Sequence, residues 1–400
     1  MIPCAAESHS VKGVSSMENY NFLVSIAIIV LTTKVLGDIT NKFNLTQVVG
    51  ALLAGVIVGP SCLGLIAETD FIACSAEIGV IILMFMAGMD TDINEIKSNA
   101  KACIITACIG VIVPLIGGTI VYILFFDTDT SNYTEMLKAV FVGVLLTATS
   151  VSITVEALRE MGKLEGKVGN AILGAAVLDD IIGIVVLTIV SSLKDTSVSI
   201  AAVLFKILAY GVVMIVLALL IYKFRDKIDA NFHKRRISTY VLAACLLISF
   251  VSEHFFGVAD ITGAFLLGLF LSKCKIKSEV ARKMSVPSYL FFSPIFFASV
   301  GLKVELEGIT GSLVIFSLIL LVIAILTKII GCGLGARLCG FTNSEALQVG
   351  IGMVSRGEVA LIVAQKGYAM GLLDAGLFPP IVIVVIATTI ITPVLLKKIM

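Results

Sequence analysis

Apolar stretches, separated by short polar or charged breaks, run through almost the whole chain. Each is close to the roughly 20 residues that a helix rising 1.5 Å per residue needs to cross a hydrocarbon core about 30 Å thick. Stretches that meet or approach that length lie at 22–40, 45–66, 72–90, 101–126, 134–158, 165–192 and 197–222. Six more lie at 237–255, 258–272, 286–302, 309–336, 344–371 and 376–397. The pattern predicts an all-α polytopic membrane protein with thirteen transmembrane helices. Residues 1–18 lack the apolar run of a signal peptide. They are expected to be a disordered extension, with Met17 an alternative start, ahead of a single membrane domain over 19–398.

Composition agrees with a bilayer as the solvent. Of 400 residues, 58% are hydrophobic and 14% charged, with mean hydropathy +1.08, too little charge to cover a water-soluble surface. A net charge of +1 gives no electrostatic case for nucleic acid. The nine cysteines stand singly, with no CxxC, and only three histidines occur. Neither a disulfide framework nor a zinc or haem site is expected, and no cofactor.

The loops carry an orientation signal. Lys and Arg number 20 in the odd-numbered loops, their flanks and the C-terminus, against 3 in the even-numbered loops. By the positive-inside rule the odd loops and the C-terminus face the cytoplasm and the N-terminus faces outward, in a prokaryotic plasma membrane.

An internal repeat refines the architecture. Gly50–Gly55 (GALLAG) matches Gly263–Gly268 (GAFLLG), and Phe85–Met89 (FMAGM) matches Ala298–Leu302 (ASVGL), both at an offset of 213 residues. Seven spans, an odd number, separate the copies. Two six-helix repeats, about 20–192 and 237–397, should therefore be inverted relative to each other, with a linker helix near 197–222. Secondary transporters with this architecture bind their cargo at mid-depth between the repeats, on discontinuous helices.

Charge inside the bilayer is costly and usually functional. Deep in the spans stand Glu77, Asp179, Asp180, Lys328, Arg356 and Glu358; Lys34, Lys138, Lys206 and Lys366 lie nearer span ends and can snorkel. Asp179 and Asp180 are the sharpest feature. Adjacent helical residues point about 100° apart, so one carboxylate can face an ion cavity while the other faces a neighbouring helix. A carboxylate that accepts either a proton or a small hard cation is what an exchanger requires. Lys328, in the second repeat, is the natural counter-charge. Thr147–Ser152 (TATSVS) in span 5 and Gly350–Glu358 (GIGMVSRGE) in span 12 are poor helix formers at mid-depth. Both predict unwound crossings, whose freed carbonyls and hydroxyls, Thr149 and Ser150 among them, are candidate ligands. Arg356 and Glu358 should neutralise each other or the broken-helix dipoles. Gly331–Ala336 fits G-x-G-x-x-A but follows no strand, so no dinucleotide site is expected. Neighbouring aspartates also cannot form the two-helix pair of an intramembrane aspartyl protease.

Taken together these residues resemble the monovalent cation:proton antiporter family, in its Kef-type and Na+/H+ exchanger branch. The resemblance rests on Asn44–Gly50 (NLTQVVG), Val58–Gly64 (VGPSCLG), Ala76–Gly79 (AEIG) and Phe85–Asp92 (FMAGMDTD). Thr147–Ser150, the aspartate pair, Lys328 and Ser355–Glu358 (SRGE) complete it. It implies a homodimer in which a core domain slides past a dimerisation domain. It also implies that Asp180 binds the cation, that Asp179 pairs with Lys328, and that Thr149 sits at the unwound crossing, with Glu77, Ser355, Arg356 and Glu358 accessory. An Asp-Asp pair with a lysine is similar to the electrogenic members, which points to Na+ or Li+ exchanged for H+. Kef-type proteins carry a cytosolic nucleotide-sensing domain where this chain ends, so gated K+ efflux is not expected. K+/H+ or mixed Na+/K+ antiport is the alternative on the same scaffold, and a Na+-coupled organic-solute symporter the alternative of a different class. An enzyme is not expected.

Overall fold

The computed structural model describes residues 21–43, 45–92, 94, 98–194, 199–229, 236–303 and 310–400. The expected extension at 1–18 lies outside them. Helices account for all regular structure among the described residues. The first half holds α1 (Asn21–Lys42), α2 (Gln47–Val58), α3 (Asp70–Asp90), α4 (Ala100–Phe126), α5 (Tyr133–Thr147), α6 (Val151–Glu160) and α7 (Lys167–Lys194). A long helix, α8 (Ile200–Lys223), and a short one, α9 (Arg225–Asp229), lead into the second half. There follow α10 (Ile237–Phe256), α11 (Asp260–Leu271) and α12 (Lys277–Pro287), which runs through a π turn at Ser288–Phe292 into α13 (Ser293–Leu302). The last are α14 (Gly311–Leu338), α15 (Asn343–Gly352), α16 (Glu358–Ala369) and α17 (Phe378–Ile399).

Local chemistry sets the helix ends. The side chains of Thr69, Asn132, Ser199 and Thr310 accept N-terminal backbone N–H groups of α3, α5, α8 and α14. Thr342 and Glu345 form a reciprocal capping box on α15. Gly257 closes α10 with φ of 69°, a conformation that favours glycine.

Ten described helical segments are long and apolar enough to span a membrane, fewer than the thirteen expected spans. The difference has a physical cause. Helices α2 and α11 have only 12 residues each, and the twelfth expected span is divided into α15 and α16, of 10 and 12 residues. The linker α8 shows why lipid is required. Leu204, Leu208, Val212, Ile215 and Leu219 form an exposed apolar stripe at helical spacing, and only Tyr210 and Met214 are buried.

The repeat is written into the packing. Gly55 lies against the carbonyl of Ala298, and Gly268 against that of Phe85. Likewise Gly301 lies against Leu52 and Gly88 against Phe265. Each pair of contacts interconverts at the offset of 213 that relates the sequence motifs. Glycine is needed at all four positions because a Cβ there would strike backbone, so α2–α13 and α3–α11 approach closely in the same way.

Packing sorts the helices into two groups. A scaffold is built of α1, α2, α3, α10, α11 and α13, and a core of α4, α5, α6, α7, α14, α15, α16 and α17. The groups meet where α6 touches α2 and α3 and where α17 touches α2, while α8 bridges α7 to α10 and α11.

Candidate functional site

Two helices of the core are interrupted, at the two places the sequence marks. Helix α5 ends at Thr147 and α6 begins at Val151, while α15 ends at Gly352 and α16 begins at Glu358. The connecting segments cross. Ser150 N donates to Ser355 O at 2.8 Å, and Thr154 Oγ1 donates to Gly352 O at 2.8 Å. Gly357 permits the approach, since a Cβ there would lie 2.5 Å from Ser150 Oγ. Four helix ends thus converge, and each carries unpaired backbone groups that lipid cannot satisfy.

Arg356, 1% exposed, satisfies the carbonyl ends. Its guanidinium donates to Val354 O and Leu146 O, each at 2.6 Å, and to Ala324 O at 3.3 Å. Thr389 of α17 donates in turn to Arg356 O at 2.5 Å. Arg356 thus places its positive charge at the negative C-terminal end of the broken helix α5. The side chain of Glu358 lies outside the described residues; its backbone opens α16. Ser150 Oγ pairs with Ser152 Oγ at 3.2 Å, and Ser355 Oγ is buried with no hydrogen-bond partner among the described residues.

The adjacent aspartates on α7 have different surroundings. Asp179, 2% exposed, accepts from Lys328 Nζ at 3.1 and 3.2 Å and from Thr149 Oγ1 at 2.7 Å. Lys328 is fully buried in α14. Gly110 makes room for this pairing, because a Cβ there would run into Cys332, one turn along α14 from Lys328. Two buried charges are thereby matched and hydrogen-bonded, the condition under which burial is tolerable. Asp180 is half-buried and, like Asp179, lines a cavity of about 60 Å³ together with Thr147, Ala148, Gly183, Ala259 and Val359. The cavity follows α7 toward its C-terminal end, past Ile184 and Leu187. On the other side of the pair, Gly169 through Ala176 are all buried. The site is thus a pair of carboxylates on a small cavity at a core–scaffold seam, one of them bonded to a buried lysine.

The chain matches the family model described as sodium/hydrogen exchanger, transmembrane, over residues 24–400. It belongs to the sodium/hydrogen exchanger family. The Na(+)/H(+)-K(+) antiporter GerN of Bacillus cereus is 39% identical over 94% of this chain and 96% of its own length. The Na(+)/H(+) antiporter of Enterococcus hirae is 36% identical over 94% and 97%. Among solved structures, the sodium proton antiporter MjNhaP1 of Methanocaldococcus jannaschii superposes with a TM-score of 0.72. At 16% identity, over 94% of this chain and 95% of that one, it has the same fold. Like its relatives, this exchanger is a transporter and not an enzyme.

Within this exchanger, Glu77 stands apart from the other sequence candidates. It lies on scaffold helix α3, its carboxylate oxygen within 4.8 Å of those of Glu253 and Asp260, and it is not among the residues lining the Asp180 cavity. Sequence reasoning missed Thr389, whose signal was a Thr pair inside an apolar helix. It also missed Ala259, a scaffold residue that carries no chemical signal of its own.

Proposed function

We propose that the protein is a secondary active antiporter that exchanges Na+ or Li+ for H+ by alternating access. The reading rests above all on the unequal aspartates. Both carboxylates line the small cavity, and Asp179 is in addition held by Lys328 and Thr149, which favours the more exposed Asp180 as the exchanging group. In this proposal Asp180 carries either a proton or the cation, never both, and that competition couples the two fluxes. Carbonyl and hydroxyl oxygens of the broken crossing, Thr149 and Ser150 among its residues, complete the coordination of a small hard cation. When Asp179 takes up a proton, Lys328 is released, which provides for a second proton per cycle.

The protein is proposed to act as a homodimer in a prokaryotic plasma membrane, with its C-terminus cytoplasmic and its N-terminus outside. The core group moves past the scaffold and carries Asp180 from one face to the other. A second reading, K+/H+ or mixed Na+/K+ exchange, is favoured by the name of its Bacillus cereus relative. Purified protein in liposomes with a pH-sensitive dye separates the two. Proton movement triggered by Na+ and Li+ but not K+ supports the first reading, and movement triggered by K+ supports the second.

A further inference from the structure

The core and the scaffold are tied together at one end of the molecule by residues that ion binding does not use. Glu160, the last residue of core helix α6, aims its carboxylate at the first turn of scaffold helix α2. It accepts the backbone N–H of Gln47 at 2.7 Å and that of Val48 at 3.2 Å. A carboxylate on the free N–H groups of a helix N-terminus is a charge-assisted contact, strengthened by the helix dipole. Here the cap is borrowed. Thr46 precedes α2 but makes no side-chain cap bond, and its buried Oγ1 has no hydrogen-bond partner among the described residues. The residue that normally caps a helix thus leaves the task to a side chain from the other group, 113 positions along the chain from Gln47.

Two further contacts reinforce this end. Arg159, beside Glu160, reaches Asp90 of scaffold helix α3 at 3.5 Å. Lys397 of core helix α17 donates to Leu45 O, just ahead of α2, at 3.3 Å. These residues flank the odd-numbered loops and the C-terminus. The Asp180 cavity extends the opposite way, toward the C-terminal end of α7, while on the Glu160 side Gly169 through Ala176 are buried and only Asn170 among them borders a separate surface cavity, shared with Asp90 and Glu165. The contact lies on the side away from the Asp180 cavity.

We infer that Glu160 is a positioning residue for transport, a latch that seats the core on the N-terminus of α2 and so holds Asp180 open to the far face. The inference rests on the alternating-access reading above. For Asp180 to reach the Glu160 face, the core must leave the scaffold there, so the two N–H bonds must break and α2 must lose its cap. The latch therefore biases the balance between the two access states without touching the cation. Glu156 of the same helix, Lys34 of α1 and Tyr289 of the π turn line the groove beside it. Lys34, the one basic residue of this groove, is paired with Asp38 rather than with Glu160.

A weakened latch shifts population toward the state open on the Glu160 face. Apparent affinity scales with the fraction of molecules in the competent state, so the two faces must respond in opposite directions. The test is the apparent KM for Na+ on each face, measured in everted and right-side-out vesicles, for wild type, Glu160→Ala and Glu160→Gln. The expected result for Glu160→Ala is a several-fold lower KM on the Glu160 face and a several-fold higher KM on the opposite face. Glu160→Gln, which keeps an acceptor oxygen, should move both KM values the same ways by less, and it carries the test if the alanine variant fails to fold. A helix cap with only a structural role would lower stability or the maximal rate and leave the ratio of the two KM values alone; that result overturns the latch. Movement of both KM values in one direction overturns it as well. Wild-type vesicles silent to every cation would instead bring down the antiport reading itself, a failure visible before any variant is compared.

Discussion

Ser150 donates its backbone N–H to the carbonyl of Ser355 across 2.8 Å, at the point where the two interrupted helices of the core pass each other. These residues belong to corresponding spans of the two repeats, so one hydrogen bond joins the repeats at their crossing. Around it, the ends of four half-helices meet in the buried interior of the core. Arg356 is the group that makes this tolerable, and Asp180 stands where the crossing meets a cavity.

Arg356 should therefore be hard to replace. Arg356→Lys supplies one ammonium where a planar fork bonded the carbonyls of Val354, Leu146 and Ala324. Each lost charge-assisted bond is worth about 1.5–3 kcal/mol. The variant is expected to melt well below wild type in detergent and to lose most transport, and Arg356→Gln more so. Thermal unfolding monitored by fluorescence-detected chromatography checks both.

The Asp179–Lys328 pair is buried, so breaking one side should cost more than removing both. Leaving a single buried charge costs on the order of 3–5 kcal/mol. Asp179→Asn and Lys328→Met are each expected to destabilise the protein strongly. The double variant is expected to recover a large part of the loss. Melting temperatures arranged as a double-mutant cycle show whether the coupling is there.

Glycines at the repeat contacts should respond alike because their environments are equivalent. Gly55→Ala and Gly268→Ala each push a methyl group into the facing backbone. Overpacking of that kind typically costs about 1–3 kcal/mol. Gly211→Ala, in the linker helix with nothing within 4 Å of its added Cβ, is expected to be neutral or stabilising by up to about 1 kcal/mol. Comparing the three in one melting assay tests the pseudo-symmetric packing.

Gly183 lies one turn from Asp180 on the wall of the cavity, and an added Cβ there meets nothing within 4 Å. Gly183→Ala is expected to fold normally and Gly183→Val to take up part of the roughly 60 Å³ beside the carboxylate. The larger side chain should raise the KM for larger cations more than for Li+. A cation ranking measured in liposomes decides this.

Much of this was legible in the sequence because a bilayer leaves few options. Charge is costly in lipid, so Asp179, Asp180 and Lys328 stood out as candidates before any geometry was known. The breaks at Thr147–Ser152 and Gly350–Glu358 were legible because small and polar residues stop a helix where the bilayer would otherwise demand one. The number of full-length spans was less legible, since α2 and α11 are apolar over more residues than they keep helical. Pairings between distant segments were not legible at all. Nothing local in Glu160, at the polar end of a helix, says that it caps α2. Glu77 stood out by depth and charge alone as an accessory residue; it lies on scaffold helix α3, its carboxylate close to those of Glu253 and Asp260.

The central claim is that Asp180 is the carboxylate on which proton and cation compete. It is tested most directly by proton movement in liposomes on addition of Na+, with wild type compared with Asp180→Asn in protein verified as folded. The account requires cation-triggered proton flux in the wild type and none above background in the variant, with Na+ binding lost as well. Flux that persists in Asp180→Asn would contradict it and move the exchanging group elsewhere in the core.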